Sequence, residues 1–337
     1  MYYLACFIVS LLTLLWAIAI NENMKINQIL LIVITVIGNG GYYALAESSC
    51  LETAILANKL TYLIGIFSPM LIFFNICEIC KMRMRHFWVV TLYTIQILIY
   101  LCVCTIGKSN LFYETVEFHE GRNGAFLTKT YGPAHDIYIV MLFLYLAMCM
   151  WITAQSWNKK NKVSYKTADI LIFMGILTTG TYFIERALHL EMDFVPFVFT
   201  IGLIAILVPV TKTSWYSVEE NRGILESKLE GMAYIVFSKK LQYMGCNEYA
   251  GILFPELLEW ELEKKIPGNG GRFNTFLRQT FMKFVVSNQE EPLRGTPFSI
   301  KERTFHYFVK RLYSNRKKHL GYVIELIDVT ELANGSV

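Results

Sequence analysis

Charge is what this sequence has least of. Only 17% of its 337 residues are Asp, Glu, Lys or Arg, against 54% hydrophobic, and the mean hydropathy is +0.40. That excludes an ordinary soluble enzyme, while the charges that remain exclude a chain that is membrane throughout. The scarcity is local. Residues 1–211 hold 25 charged side chains, about 12%, and residues 212–337 hold 33, about 26%, which is the usual density of a soluble domain. Two domains follow.

Other absences exclude whole classes of function. With a net charge of +4 and no basic stripe interleaved with aromatics, nothing points to nucleic acid. Cys77-x-x-Cys80 stands alone, with no second pair or nearby histidine, so no metal site is expected and these thiols read as unpaired. The N-terminus is apolar from Tyr2 and lacks the positive region of a cleaved signal peptide, so it reads as a retained span. A catalytic triad, a helix-borne metal set and a phosphate loop are all missing, and no catalytic residue is assigned. The last apolar run has no lysine before Lys212, which excludes a retinal Schiff base. No internal repeat and no low-complexity segment is found.

What is present begins with long apolar runs. Seven approach the roughly 20 residues needed to cross a hydrocarbon core, near 2–20, 27–45, 60–80, 87–106, 134–156, 168–189 and 194–211. The loops after the third and fifth are basic, with Lys81, Arg83 and Arg85, then Lys159, Lys160, Lys162 and Lys166. The loop 46–59 carries Glu47, Glu52 and a single Lys59. Basic loops stay inside, so the N-terminus is expected outside and the C-terminus inside. The outer loop 107–133 has two alternating segments, Phe112–Phe118 and Ala125–Tyr131, around Asn123-Gly124, which predicts a β-hairpin.

Beyond Thr211 a short polar helix is expected over 213–230, with Trp215, Val218, Leu225 and Leu229 at three-four spacing, a stripe apolar enough to pair with a second copy. Strands are then expected at Ala233–Phe237 and Leu241–Met244. Helices follow at Asn247–Phe254, Pro255–Lys265 and Phe273–Val286, and strands again at Pro297–Ile300, Thr304–Tyr313 and His319–Val329. That order is α+β with one antiparallel sheet, its core expected from Tyr234, Val236, Phe276, Phe281, Phe305, Tyr307 and Val309. The domains are therefore 1–211, the linker helix 212–230, a sheet domain 231–331 and 332–337, read as the start of an output linker.

Asp328-Val329-Thr330-Glu331 closes the last strand, where Asp and Thr oxygens can cap a following helix. Together with the strand pair, helices and three-stranded finish, it resembles the end of a PAS domain over about 231–331. The resemblance implies a relay step at Asp328 and Thr330 that passes strain to a signalling helix. Residues 1–215, through Glu47…Glu52-Thr53-Ala54…Lys59-Leu60-Thr61-Tyr62-Leu63-Ile64-Gly65 and the basic third loop, resemble the histidine-kinase N-terminal seven-helix sensor region. That family is a bacterial input module, usually followed by PAS and then a kinase or GGDEF domain. No GGDEF run, phosphoacceptor helix or nucleotide box is found within these 337 residues. Gly270-Gly271-Arg272-Phe273 departs from the flavin-photosensor signature by lacking its adduct cysteine, and His306 alone makes no haem site, so the cofactor is left unknown.

Polar residues at membrane depth are candidates for function. Asn39, Asn75 and Gln96 read as cross-links between helices. Glu185, Arg186 and His189 cluster at the outer end of the sixth run, and Glu47, Glu52 and Tyr62 face the same side. A water-filled outer cavity lined by these six could take a small polar extracellular ligand. His119 and His135 read as solvated loop residues. The function expected is a non-enzymatic signal-input protein of the bacterial plasma membrane, in contact with the bilayer and homodimeric. It would relay an external or membrane cue through 213–230 and the sheet domain to an output module. A secondary transporter, or a membrane enzyme with a cytoplasmic regulatory domain, is the alternative.

Overall fold

The computed structural model describes residues 1–20, 24–80, 82, 84–121, 124–156, 165–188, 192–216, 232–268, 271–287, 292–295, 297–300, 303–313 and 319–330. They form two compact units that divide near 210, and each is treated separately.

The first unit is helical. Its elements are α1 (Tyr2–Ile20), α2 (Ile26–Ala46), α3 (Leu51–Ile79), α4 (His86–Cys104), the strands β1 (Tyr113–Gly121) and β2 (Gly124–Tyr131), then α5 (Pro133–Ser156), α6 (Tyr165–Ala187) and α7 (Val195–Tyr216). Helices α1 to α5 are long and apolar enough to cross a membrane. Many of their large side chains face outward, as a lipid-facing surface requires: Leu12, Leu15, Trp88, Leu98 and Trp151 are all exposed.

Helix α3 departs from expectation. It starts at Leu51 rather than near 60, so most of the segment expected as the loop 46–59 is helical and Glu52 lies in its first turn. Its polar composition conceals the reason. Ala54, Ala57 and Asn58 are buried, and the two alanines pack with Leu45 of α2 and Leu127 of β2. At 29 residues, α3 is about 44 Å long and outreaches a hydrocarbon core of about 30 Å.

The close seating of α2 on α3 depends on glycine. A Cβ on Gly41 would meet Leu60 Cβ at 2.8 Å and the Thr61 backbone nitrogen at 2.9 Å, and one on Gly38 would meet Ile64 at 2.8 Å. Small residues let helix backbones approach where hydrophobic burial gives no drive. Asn39 then ties α2 to α7 through the Thr200 hydroxyl at 2.9 Å, the cross-link its position suggested. Asn75 does not behave so; its amide donates back to Leu71 in its own helix at 2.8 Å.

The expected hairpin is present. β1 and β2 pair antiparallel from Thr115↔Thr130 to Gly121↔Gly124, and Gly124 has φ +120°. A Cβ there would strike Ala46 oxygen at 2.7 Å, so the hairpin lies directly against the end of α2.

The second unit is an antiparallel sheet of order β4-β3-β8-β7-β5, with β6 also on β7. Its strands are β3 (Met232–Ser238), β4 (Tyr243–Cys246), β5 (Leu293–Arg294), β6 (Phe298–Ile300), β7 (Arg303–Tyr313) and β8 (His319–Asp328). Between β4 and β5 run α8 (Glu248–Leu253), a 3₁₀ turn (Pro255–Leu258) and α9 (Arg272–Ser287). The first and last strands pair at the centre, with Ile235 opposite Ile324.

Three expectations need correction. Pro255–Lys265 is not a helix beyond Leu258, because its backbone pairs with β4 instead: Tyr243 N–H donates to Lys264 and Glu263 N–H to Tyr243. The second strand begins at Tyr243, since Leu241 turns the chain with φ 57°. Tyr234 and Val236 do not face α9. Ala233, Ile235 and Phe237 do, with Phe281, Phe305 and Val309, while Tyr234 and Val236 pack with Leu312, Leu320 and Val323 on the other face. Five consecutive apolar residues leave the parity of a strand undetermined by sequence. Phe276 and Tyr307 border the core and meet edge to face at 4.8 Å. β5 was not anticipated.

Of the expected helix 213–230, α7 extends through Trp215 to Tyr216. Val218, Leu225 and Leu229 lie outside the described residues, as do His189 and 332–337.

Candidate ligand cavity

The first unit contains a partly open cavity of about 390 Å³, within the size range of small-molecule sites. β2 covers one end of it through Ala125–Lys129 and Tyr131; α1, α2, α3, α5, α6 and α7 form the walls. Along α3 it is lined from Asn58 to Ile76, a length of about 27 Å at helical rise. The hairpin end is polar and phenolic. The far end is mainly apolar, with Leu146, Cys149, Leu171 and Ile172.

Its polar end is built from groups that fix one another. Lys129 Nζ donates to Asn58 Oδ1 at 2.9 Å and lies 5.6 Å from the centre of the Tyr113 ring. Asn58 Nδ2 donates to the Tyr113 hydroxyl at 3.1 Å, which in turn donates to that of Tyr62 at 2.7 Å. Nearby, His135 Nε2 shares a hydrogen bond with the Tyr182 hydroxyl at 3.1 Å, and its ring packs 4.0 Å from that of Tyr131. His135 is buried and is therefore not the solvated residue the loop composition suggested.

Two carboxylates complete this end. Glu185, near the end of α6, is buried and accepts the backbone N–H groups of Phe194 and Val195, the latter at 3.0 Å. It thereby satisfies donors that a helix start leaves open and places its charge at the favourable end of the α7 dipole. Asp193 lies just before α7; its N–H donates to the Tyr3 hydroxyl at 3.0 Å. Among the described residues its carboxylate accepts no hydrogen bond. Burial pushes its pKa up, and Lys129 opposes that shift.

Of the six expected ligand residues, the structure brings Tyr62 and Glu185 to the cavity. Glu47, at the C-cap of α2, and Glu52, in the first turn of α3, are exposed and line no part of it. The side chain of Arg186 and all of His189 lie outside what is described. Lys129, Asp193, Tyr182 and Asn58 were missed. Strand parity places Lys129 on the same face as Leu127, which was the one signal available.

The second unit has its own polar junction. Asp328, at the end of β8, accepts the N–H and hydroxyl of Thr330 and a guanidinium N–H of Arg303 at 3.2 Å. Thr330 Oγ1 accepts the N–H of Thr304 at 3.0 Å, and Val329 N–H donates to the Thr304 carbonyl at 2.8 Å. Burial opposes ionisation of Asp328, yet the Thr330 bonds and Arg303 hold its carboxyl below the usual range. This junction therefore ties the end of the sheet to the residues that follow it. Gly271 precedes the first residue of α9, the helix-start position its sequence suggested.

Among the described residues no three His, Cys, Asp or Glu side chains are grouped to hold a metal. Cys77 and Cys80 are buried, and neither forms a disulfide among the described residues.

No curated protein matches the chain. Among solved structures, an RNA-binding Light-Oxygen-Voltage receptor is similar at 9% identity, covering 65% of this chain and 73% of its own. Its TM-score is 0.23, too low to establish a fold. The model of the N-terminal 7TM region of histidine kinase matches residues 1–218, all of the helical unit and well over half of the chain. The chain therefore belongs to the family defined by the N-terminal 7TM region of histidine kinase.

Proposed function

We propose that this protein is a signal-input receptor of the bacterial plasma membrane whose cavity beneath the β1–β2 hairpin is the site of input. The observation that carries this reading is a cavity, polar at one end and mainly apolar at the other, within a membrane sensor region. A structural bundle with no ligand would gain stability by filling such a space, since interiors pack closely and cavities cost free energy.

All seven helices cross the bilayer in this reading. Five qualify by length and composition, and α6 and α7, of 23 and 22 residues, have the length to do so. The basic loops 81–86 and 157–167 support an orientation with the N-terminus and the hairpin outside and the sheet domain in the cytoplasm. Trp215, Val218, Leu225 and Leu229 would pair two copies, and the sheet domain acts as a PAS-like relay through Asp328 and Thr330. Its strand pair, helices and three-stranded finish support that assignment. The output is a histidine kinase or GGDEF domain, so the route is two-component or cyclic di-GMP signalling. The chain itself supplies input and relay rather than catalysis.

The test is a fusion of a diguanylate cyclase domain in helical phase after Glu331, assayed in membranes. Activity that responds to cavity variants and loses the response in Asp328→Ala supports the reading. An active fusion indifferent to both refutes it.

A further inference from the structure

The cavity's lining carries a chemical bias that the proposed input role does not specify. At the hairpin end stand two carboxylates, Glu185 and Asp193, and one ammonium, Lys129. Lys129 is engaged, bonded to Asn58 at 2.9 Å and seated over Tyr113. Glu185 is engaged too, through the two N–H groups that open α7. Asp193 is different: its carboxylate accepts no hydrogen bond among the described residues. It interacts electrostatically with the phenols of Tyr3, Tyr42 and Tyr182, and the rings of Tyr3 and Tyr42 stack at 6.3 Å.

A carboxylate among phenols, beside a second carboxylate, attracts a cation by its charge. It repels an anion. Most of the remaining lining is apolar, with Leu146, Leu171 and Ile172 beside the hydroxyls of Ser68, Tyr145 and Thr178. A compact hydrophilic ligand would leave that part of the cavity empty. A hydrocarbon chain would fill it.

Resting on the reading of this cavity as the input site, we propose that its ligand is a single-chain cationic amphiphile. The amine or ammonium head pairs with Asp193 among Tyr3, Tyr42 and Tyr182, and the alkyl tail runs along α3 and α5 toward Leu146. A fatty acid would place its carboxylate against Asp193 and Glu185 with only an already bonded lysine in compensation.

The test uses the full chain in phosphatidylcholine nanodiscs, with dodecylamine, dodecanoate and butylamine as probes and thermal stabilisation as the readout of binding. Dodecylamine is expected to stabilise saturably, and the other two not. Asp193→Asn should weaken dodecylamine about ten- to a hundredfold, the range of one charge-assisted hydrogen bond. Lys129→Met removes the competing ammonium and should strengthen it, an effect that misfolding cannot mimic. Leu146→Trp, which fills the far end, should reject dodecylamine and leave hexylamine bound. Dodecanoate binding as well as dodecylamine overturns the cationic head while leaving an input cavity in place. Stabilisation by dodecylamine that none of the three variants alters is partition into the bilayer, and it overturns the site. The cyclase fusion tests the input role separately, because its response to cavity variants does not depend on which head group binds.

Discussion

The carboxylate of Glu185, at the end of one helix, accepts the backbone N–H of Val195 at the start of the next, at 3.0 Å. Ten residues apart in sequence, the two close the turn from α6 to α7, so this buried acidic side chain has a structural partner in the fold.

Removing that cap should destabilise the bundle. Glu185→Ala leaves two backbone donors open, that of Val195 buried, and should cost about 1–2 kcal/mol. Glu185→Gln, which keeps an acceptor, should cost less. Thermal unfolding of the detergent-solubilised chain separates them, and equal melting temperatures for both variants and the parent would show that the cap contributes nothing.

Much of this was legible in the sequence, and the failures have physical causes. The helices α1, α2, α4 and α5 fall within a residue or two of the apolar runs that predicted them, because lipid exposure demands continuous hydrophobicity. The start of α3 was hidden, since Glu52, Asn58 and Lys59 read as loop while Ala54 and Ala57 supply the packing face. The hairpin was legible from alternation. The cavity was not: Asp193 and Lys129 lie 64 residues apart in chain position, and only the fold brings both to one space. In the sheet domain the element order was legible, whereas the face taken by Tyr234 and Val236 was not, both faces of β3 being apolar.

The α2–α3 seam should be intolerant of volume. Gly41→Leu would drive a side chain into Leu60 and the Thr61 backbone, and overpacking of this kind costs about 1–3 kcal/mol. The melting temperature should fall and the Gly124 contact with Ala46 should loosen, seen as faster proteolysis of the hairpin. A variant as stable as the parent would mean that the helices are free to part.

Cys50 reports topology without an engineered cysteine. It is an exposed thiol at the N-cap of α3, on the hairpin side of the unit. Hydrogen bonding from Thr53 lowers its pKa below the usual thiol value. More thiolate at neutral pH means faster alkylation than an ordinary exposed cysteine. A membrane-impermeant maleimide should therefore label it in intact cells. Labelling only after lysis would place the hairpin inside and the sheet domain outside.

Asp328 makes the end of the sheet sensitive to acid. Its folded carboxyl titrates below the ordinary value, so its contribution is complete above about pH 4 and is lost as the pH falls through the folded value. Asp328→Ala should remove about 1 kcal/mol of local protection at neutral pH, seen as several-fold faster hydrogen exchange at the Thr304 and Thr330 amides. The difference from the parent should disappear in acid. A difference that persists there would assign the effect to Arg303 or to backbone relaxation.

The central claim is that the state of the membrane cavity is felt at the end of the sheet domain. Hydrogen exchange at Thr304 and Thr330 in the full chain, in nanodiscs, tests it most directly when the parent is compared with Leu146→Trp. The account predicts that filling the cavity changes protection at these two amides several-fold while the central β3–β8 pair, such as Ile235 and Ile324, keeps its own. Identical exchange at Thr304 and Thr330 in the two proteins, with the bundle of the variant folded, would contradict it.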